Sequence, residues 1–131
     1  MRRKLILVFA LLMIVVSAIC QKPSKEEFFR ACDSLEIHNP NIVWAQARHE
    51  SGNFTSDHYR NRNNCLGIYD SKNRRYDSFD SWQECLSAYK ERFQYRCKRK
   101  DYTDLEYLDW VCRHGYAKDP TYKSKIKKYL K

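Results

Sequence analysis

Apolar positions along residues 21–131 recur with the spacing of helices, and each helical stretch carries its own start signal. Ser24 with Glu27 forms a capping box, and Phe28, Cys32 and Leu35 follow on one face. Asn39-Pro40 opens a second stretch, with asparagine as cap and proline in the first turn. It carries Ile42, Val43, Ala45 and Ala47 and stops near Gly52. A third begins at Ser81 with Glu84, and Trp82, Cys85, Leu86, Tyr89 and Phe93 form its buried stripe. Thr103 with Glu106 caps a fourth that ends at Gly115; Asp119-Pro120 caps a fifth bearing Tyr122, Ile126, Tyr129 and Leu130. Between the second and third, Leu66, Ile68, Tyr69 and Tyr76 flank Asp70-Ser71-Lys72-Asn73, the pattern of a short β-hairpin. The expected architecture is one mainly α domain with a small hairpin inserted after the second helix.

The first twenty residues break this pattern. Arg2, Arg3 and Lys4 precede an unbroken apolar run from Leu5 to Val16 and small residues at Ser17 and Ala18. That is the layout of a secretory signal peptide, and the run is short for a membrane span. The expected division is therefore a leader at 1–20 and a domain at 21–131, exported to the periplasm. Cleavage after Cys20 leaves Gln21 first; acylation of Cys20, which bulky Ile19 disfavours, is the one route to membrane attachment, with secretion a further destination. Outside the leader remain Cys32, Cys65, Cys85, Cys97 and Cys112, an odd number without a Cys-x-x-Cys pair. Export permits disulfides: Cys65, Cys85, Cys97 and Cys112 allow three pairings, and a bond linking the third and fourth helices is one hypothesis. Buried free thiols are the alternative.

Charge narrows the partner only to a class. The chain carries +9, and about +6 without Arg2, Arg3 and Lys4. An anionic polymer or surface fits: cell-wall material, nucleic acid or lipid. His49-Glu50 begins like a zinc-peptidase helix motif, but Asn53 stands where the second histidine belongs, so no metal is expected.

Glu50 is the strongest candidate for chemistry. It falls in the last turn of the second helix, where the negative end of the helix dipole opposes a carboxylate. Partial burial there would raise its pKa, as a general acid requires.

Four blocks of the chain resemble the bacterial peptidoglycan glucosaminidases of glycoside hydrolase family 73. Ala45-Gln46-Ala47 with Glu50-Ser51-Gly52 resembles the catalytic-helix signature. Asn63-Asn64-Cys65-Leu66-Gly67-Ile68 is similar to an Asn-Asn-Leu-Phe-Gly-Ile block, and Tyr76-Asp77-Ser78-Phe79 to a Tyr-x-Ser-Phe block. Gly115-Tyr116-Ala117-Lys118-Asp119-Pro120-Thr121-Tyr122, continued by Lys125-Ile126, is similar to Gly-Tyr-Ala-Thr-Asp-Pro-x-Tyr. The blocks occur in family order over residues 39–126. The resemblance implies a lysozyme-like helical fold with a hairpin lobe, and hydrolysis of the β-1,4 bond between N-acetylglucosamine and N-acetylmuramic acid. It places the acid at Glu50 and an active-site tyrosine at Tyr116, which would bind the acetamido group or orient water. Asp70 is the first candidate for a second carboxylate, ahead of Asp57 and Asp77; the substrate acetamido group is the alternative. Gln46, Asn64 and Tyr76 are candidate substrate contacts, although a structural role in a tight turn is the preferred reading for Asn63 and Asn64. The partner implied is the glycan strand of peptidoglycan, cleaved by a monomer, with no nucleic acid and no cofactor.

The chain departs from the family pattern at His49, Asn53, Cys65 and Leu66, and the short segment between Gly67 and Tyr76 implies a reduced lobe. Three other functions fit parts of the pattern. Glu50-Ser51-Gly52 also occurs in lytic transglycosylases, against which the Tyr116 block argues. Cys65 with His49 or His58 would make a cysteine peptidase. The positive charge alone would serve a non-catalytic wall-binding protein.

Overall fold

A computed structural model of the chain describes residues 21–131. The proposed leader, with Cys20, lies outside the described residues. Among the described residues, six α-helices and one two-stranded sheet make a mainly α, lysozyme-like fold. Helix α1 (Lys25–Ser34) starts on the expected capping box, with the Glu27 amide donating to Ser24 Oγ and the Ser24 amide to Glu27 Oε2. It buries Phe28 and Cys32. Helix α2 (Pro40–Glu50) has Ile42, Val43, Ala45, Gln46 and Ala47 all buried, so it runs through the middle of the domain. Helices α1, α5 (Asp104–Arg113) and α6 (Tyr122–Lys127) pack around α2, and α4 (Trp82–Arg92) closes against α1. The Phe28 ring joins the layers, 5.7 Å from Trp82 and 4.9 Å from Trp44.

Three details differ from the sequence pattern. Asn39 does not cap α2: it sits in the left-handed region, and its Nδ2 donates to the Tyr102 carbonyl and to Asp104 Oδ1. It latches the start of α2 to the start of α5. Asp119 Oδ1 instead accepts from the Thr121 amide and hydroxyl, building a turn, so α6 begins only at Tyr122. A further helix, α3 (Asp57–Arg62), lacks a periodic apolar stripe because Tyr59 is its one buried residue; a Ser56 cap starts it.

The hairpin pairs β1 (Tyr69–Asp70) with β2 (Arg75–Tyr76), Tyr69 opposite Tyr76 and Asp70 opposite Arg75. The five cysteines at 32, 65, 85, 97 and 112 are free thiols, so the hypothesised bond between the third and fourth helices of the sequence pattern, which carry Cys85 and Cys112, is absent. Cys85 lies against Cys65 and Asn64, whereas Cys112 is half-buried with Lys123 and Asp109 near it. No helix among the described residues is long and apolar enough to cross a membrane.

Candidate active site

Glu50 is the final residue of α2, and the chain turns sharply after it. Ser51 is fully buried; its hydroxyl donates to the Ala47 carbonyl at 2.5 Å and accepts from the Phe54 amide at 2.8 Å. Gly52, Asn53 and Phe54 all have positive φ. That conformation is costly for Phe54, and packing of its ring on Trp44 and Tyr59 at 5.3 Å holds it in place. The end of α2 is thereby fixed where the Glu50 side chain leaves it.

The carboxyl of Glu50 rests on the backbone of Gly67. A Cβ at that position would lie 2.7 Å from Glu50 Oε2 and 3.2 Å from Cδ, and Gly67 has φ +64. Only glycine satisfies both the left-handed backbone and the close approach. Burial raises the Glu50 pKa from its usual 4.5 to about 6, and a hydrogen bond from Tyr122 acts in the opposite direction. The carboxyl is therefore half neutral at about pH 6 and keeps a protonated fraction of about one tenth at pH 7, where an ordinary glutamate keeps far less; a group that must donate a proton needs that fraction.

Aromatic hydroxyls surround this acid. Tyr122 is buried at the start of α6 and accepts from Gln46 Nε2 at 3.2 Å. Gln46 lies one helical turn before Glu50, so the two share a face of α2. Tyr116 donates to the Leu66 carbonyl, holding the loop before Gly67 against the helical body. Burial pushes the Tyr116 phenol well up, and the nearby Tyr122 and Glu50 add to this. A cavity of about 210 Å³ lies beside it, lined by Leu66, Gly67, Tyr69, Tyr89 and Tyr116 among others.

The remaining candidates fall into distinct places. Gln46 and Asn64 are fully buried. Both Gln46 polar ends are bonded internally, Oε1 accepting from the Tyr89 hydroxyl. Asn64 clamps the base of the hairpin: Nδ2 donates to the carbonyls of Ile68 and Asp77, and Oδ1 accepts from the Ile68 amide. Both thus form framework behind the site instead of its surface. Tyr76 is exposed on the hairpin, its ring 4.3 Å from His58 and 5.1 Å from Tyr69. Asp70 accepts from the Lys72 and Asn73 amides and the Asn73 side chain inside its own turn, and these bonds, the Asn73 side chain first, lower its pKa. Asp77 pairs with Arg92, and Asp57 is exposed in the first turn of α3. The influences on Glu50's acidity are burial and Tyr122, with no carboxylate among them.

Cys65 is fully buried, and burial with the adjacent Cys85 raises its thiol pKa strongly. His49 faces Tyr122 and Tyr129, and His58 faces Tyr76. A nucleophile must ionise and reach solvent, and Cys65 does neither.

Tyr122 was the residue missing from the sequence-based site. It stands inside the Gly-Tyr block, and the spacing of Gln46 and Glu50 on one helix face was the available signal: whatever meets Gln46 also meets Glu50. The Gly67 contact, between residues 17 positions apart in sequence, had no such signal.

The glucosaminidase family, described as mannosyl-glycoprotein endo-β-N-acetylglucosaminidase, matches residues 26–131. No curated protein and no solved structure matches the chain. Because the match covers residues 26–131, nearly the whole described domain, the chain belongs to the glucosaminidase family of glycoside hydrolases, glycoside hydrolase family 73, whose substrate is peptidoglycan.

Proposed function

We propose that this protein hydrolyses the β-1,4 bond between N-acetylglucosamine and N-acetylmuramic acid, with Glu50 as the general acid. The observation that carries the reading is the Glu50 carboxyl itself. It ends a buried helix, lies on Gly67, and is held protonated up to about pH 6 by burial. In the reaction it gives its proton to the glycosidic oxygen while the sugar ring takes on oxocarbenium character. Tyr116 fixes the Leu66-Gly67 loop against which the acid sits and lines the adjacent cavity. Asp70 is committed to its own turn. The reading therefore has water, or the acetamido oxygen of the substrate, attack the anomeric carbon without help from Asp70.

The hairpin supplies a surface for the glycan strand. Tyr69 and Tyr76 are both about half exposed and meet edge to face, with His58 beneath Tyr76. Sugar rings present apolar C–H faces that stack on such rings. His58 Nε2 is buried with no hydrogen-bond partner among the described residues, leaving a polar atom beside that platform. The leader at residues 1–20 directs the protein out of the cytoplasm in this reading, which brings the +6 domain to the anionic wall.

Glu50→Gln tests the assignment. Wild type should clear purified peptidoglycan in a zymogram, and mass analysis of the digest should show reducing N-acetylglucosamine ends. The variant should fold and lose about 10²–10⁴-fold in rate. Anhydro-muramic ends would make the protein a lytic transglycosylase, and full activity in Glu50→Gln would end the acid assignment.

A further inference from the structure

Behind Glu50 a line of buried amides and phenols crosses the core. At its far end is Gln94, in the short 3-10 turn Gln94–Arg96 that follows α4, 3% exposed. It grips the backbone of His38 at two points. Its Oε1 accepts from the His38 amide at 3.2 Å, and its Nε2 donates to the His38 carbonyl at 3.0 Å. This grip determines which end of the amide is NH2, since the flipped form would set donor against donor and acceptor against acceptor.

The direction of every later bond follows. The second Nε2 proton of Gln94 goes to the Tyr107 oxygen at 3.0 Å. Tyr107 and Tyr89 share one bond at 2.7 Å, and Tyr89 donates to Gln46 Oε1 at 2.9 Å. A phenol has a single proton, so the bond between the two tyrosines uses the proton of Tyr107. Gln46 Nε2 then donates to the Tyr122 oxygen at 3.2 Å, so the Tyr122 proton is not spent on Gln46 and is available to Glu50, one helical turn from Gln46 on the same face of α2. Reversing Gln46 would turn Tyr89's proton toward Tyr107, whose own proton would then have no acceptor among the described residues. That is an expensive arrangement for a buried hydroxyl.

We infer that Gln94, Tyr107, Tyr89, Gln46 and Tyr122 are positioning residues: a one-way chain of hydrogen bonds, anchored on the far side of the core, that presents a donor to Glu50. The inference rests on Glu50 as the acid. When Glu50 gives up its proton, the carboxylate that remains is met by a hydroxyl already oriented toward it, with no rearrangement needed at that moment. Each bond in such a line polarises the next, so a hydroxyl remote from Glu50 still affects the donor at its end. No member of the chain carries a formal charge. The other titratable groups near Glu50 are Tyr116 from the loop before α6, Cys65 and Cys85 behind Tyr116, and His49 on α2 with Lys125 and Asp119 beside it. None of them belongs to the chain.

Tyr107→Phe removes one hydroxyl from the middle of the line and keeps the ring. Two readouts are taken on the full domain: the ¹³C-carboxyl NMR titration of Glu50, and the pH profile of kcat on peptidoglycan. The chain predicts that the Glu50 pKa rises by about 0.3–0.5 pH units, a twofold to threefold change in acid dissociation. The alkaline limb of kcat should move by the same amount, with KM unchanged. Tyr95→Phe, an exposed tyrosine outside the line, should match wild type. If Tyr107→Phe does not fold, Tyr89→Phe gives the same readouts one bond closer to Glu50 and should shift them further. Titration curves of Glu50 that superimpose on wild type, or that move down, overturn the chain. A shifted Glu50 titration together with full activity in Glu50→Gln would uphold the chain and sink the acid assignment.

Discussion

A methyl group added at residue 67 would sit 2.7 Å from Glu50 Oε2, closer than any real contact allows, on a backbone already at φ +64. Gly67→Ala should therefore cost about 1–2 kcal/mol of stability from the backbone alone. It should also push the carboxyl from its seat and lower hydrolysis by about 10²-fold. Thermal unfolding and turnover on the same preparation separate the two effects. The acid itself has a signature in stability. Folding favours its protonated form, so that contribution is present below about pH 4.5 and is lost as pH rises through about 6. Glu50→Gln, neutral throughout, should gain stability over wild type across that window, by up to about 1–2 kcal/mol after allowing for partial exposure. Urea unfolding at pH 4 and pH 8 would show it; equal differences at both would mean an ordinary surface carboxylate.

At the scale of elements, the hairpin lobe is held less by its own two-residue strands than by Asn64 at its base. Asn64→Ala leaves the carbonyls of Ile68 and Asp77 and the Ile68 amide without their partner, a loss of about 2–4 kcal/mol for a buried clamp. Amide exchange should accelerate in residues 64–77 before it does in α2 or α5. By contrast, Asp70→Asn alters only a solvent-facing turn and should leave hydrolysis within about twofold of wild type. A large loss of activity in that variant would restore Asp70 to the reacting centre.

For the whole molecule, charge and enclosure act on different steps. The net charge of the described domain is about +6, and its basic side chains are mostly at the surface, where salt screens them. Sedimentation with insoluble peptidoglycan should fall steeply as salt rises from about 0.05 M to about 0.5 M, a span over which the screening length shrinks severalfold. Hydrolysis of a short soluble glycan should change far less, because Glu50, the proposed acid, is partly enclosed. Equal salt sensitivity for both would place the charge in the site itself.

The helices were legible along the chain because their information is local: capping residues at Ser24, Ser81 and Thr103, apolar stripes at helical spacing, and glycines at the stops. Glu50 was legible for the same reason, as an acid at a helix end followed by Ser51-Gly52. The exception among helices, α3, proves the dependence, since Asp57–Arg62 offers a single apolar anchor and reads as loop. Local pattern could not distinguish a buried amide from an exposed one, so Gln46 read as a substrate contact although it is interior, whereas the turn role read for Asn64 is close to the clamp it forms. Nor could it join Glu50 to Gly67, or Gln94 to Tyr107, Tyr89 and Gln46, across the core. Those contacts depend on how the helices pack. A hydrogen bond acquires its direction, and a carboxyl its acidity, only when residues distant in the chain enclose them together.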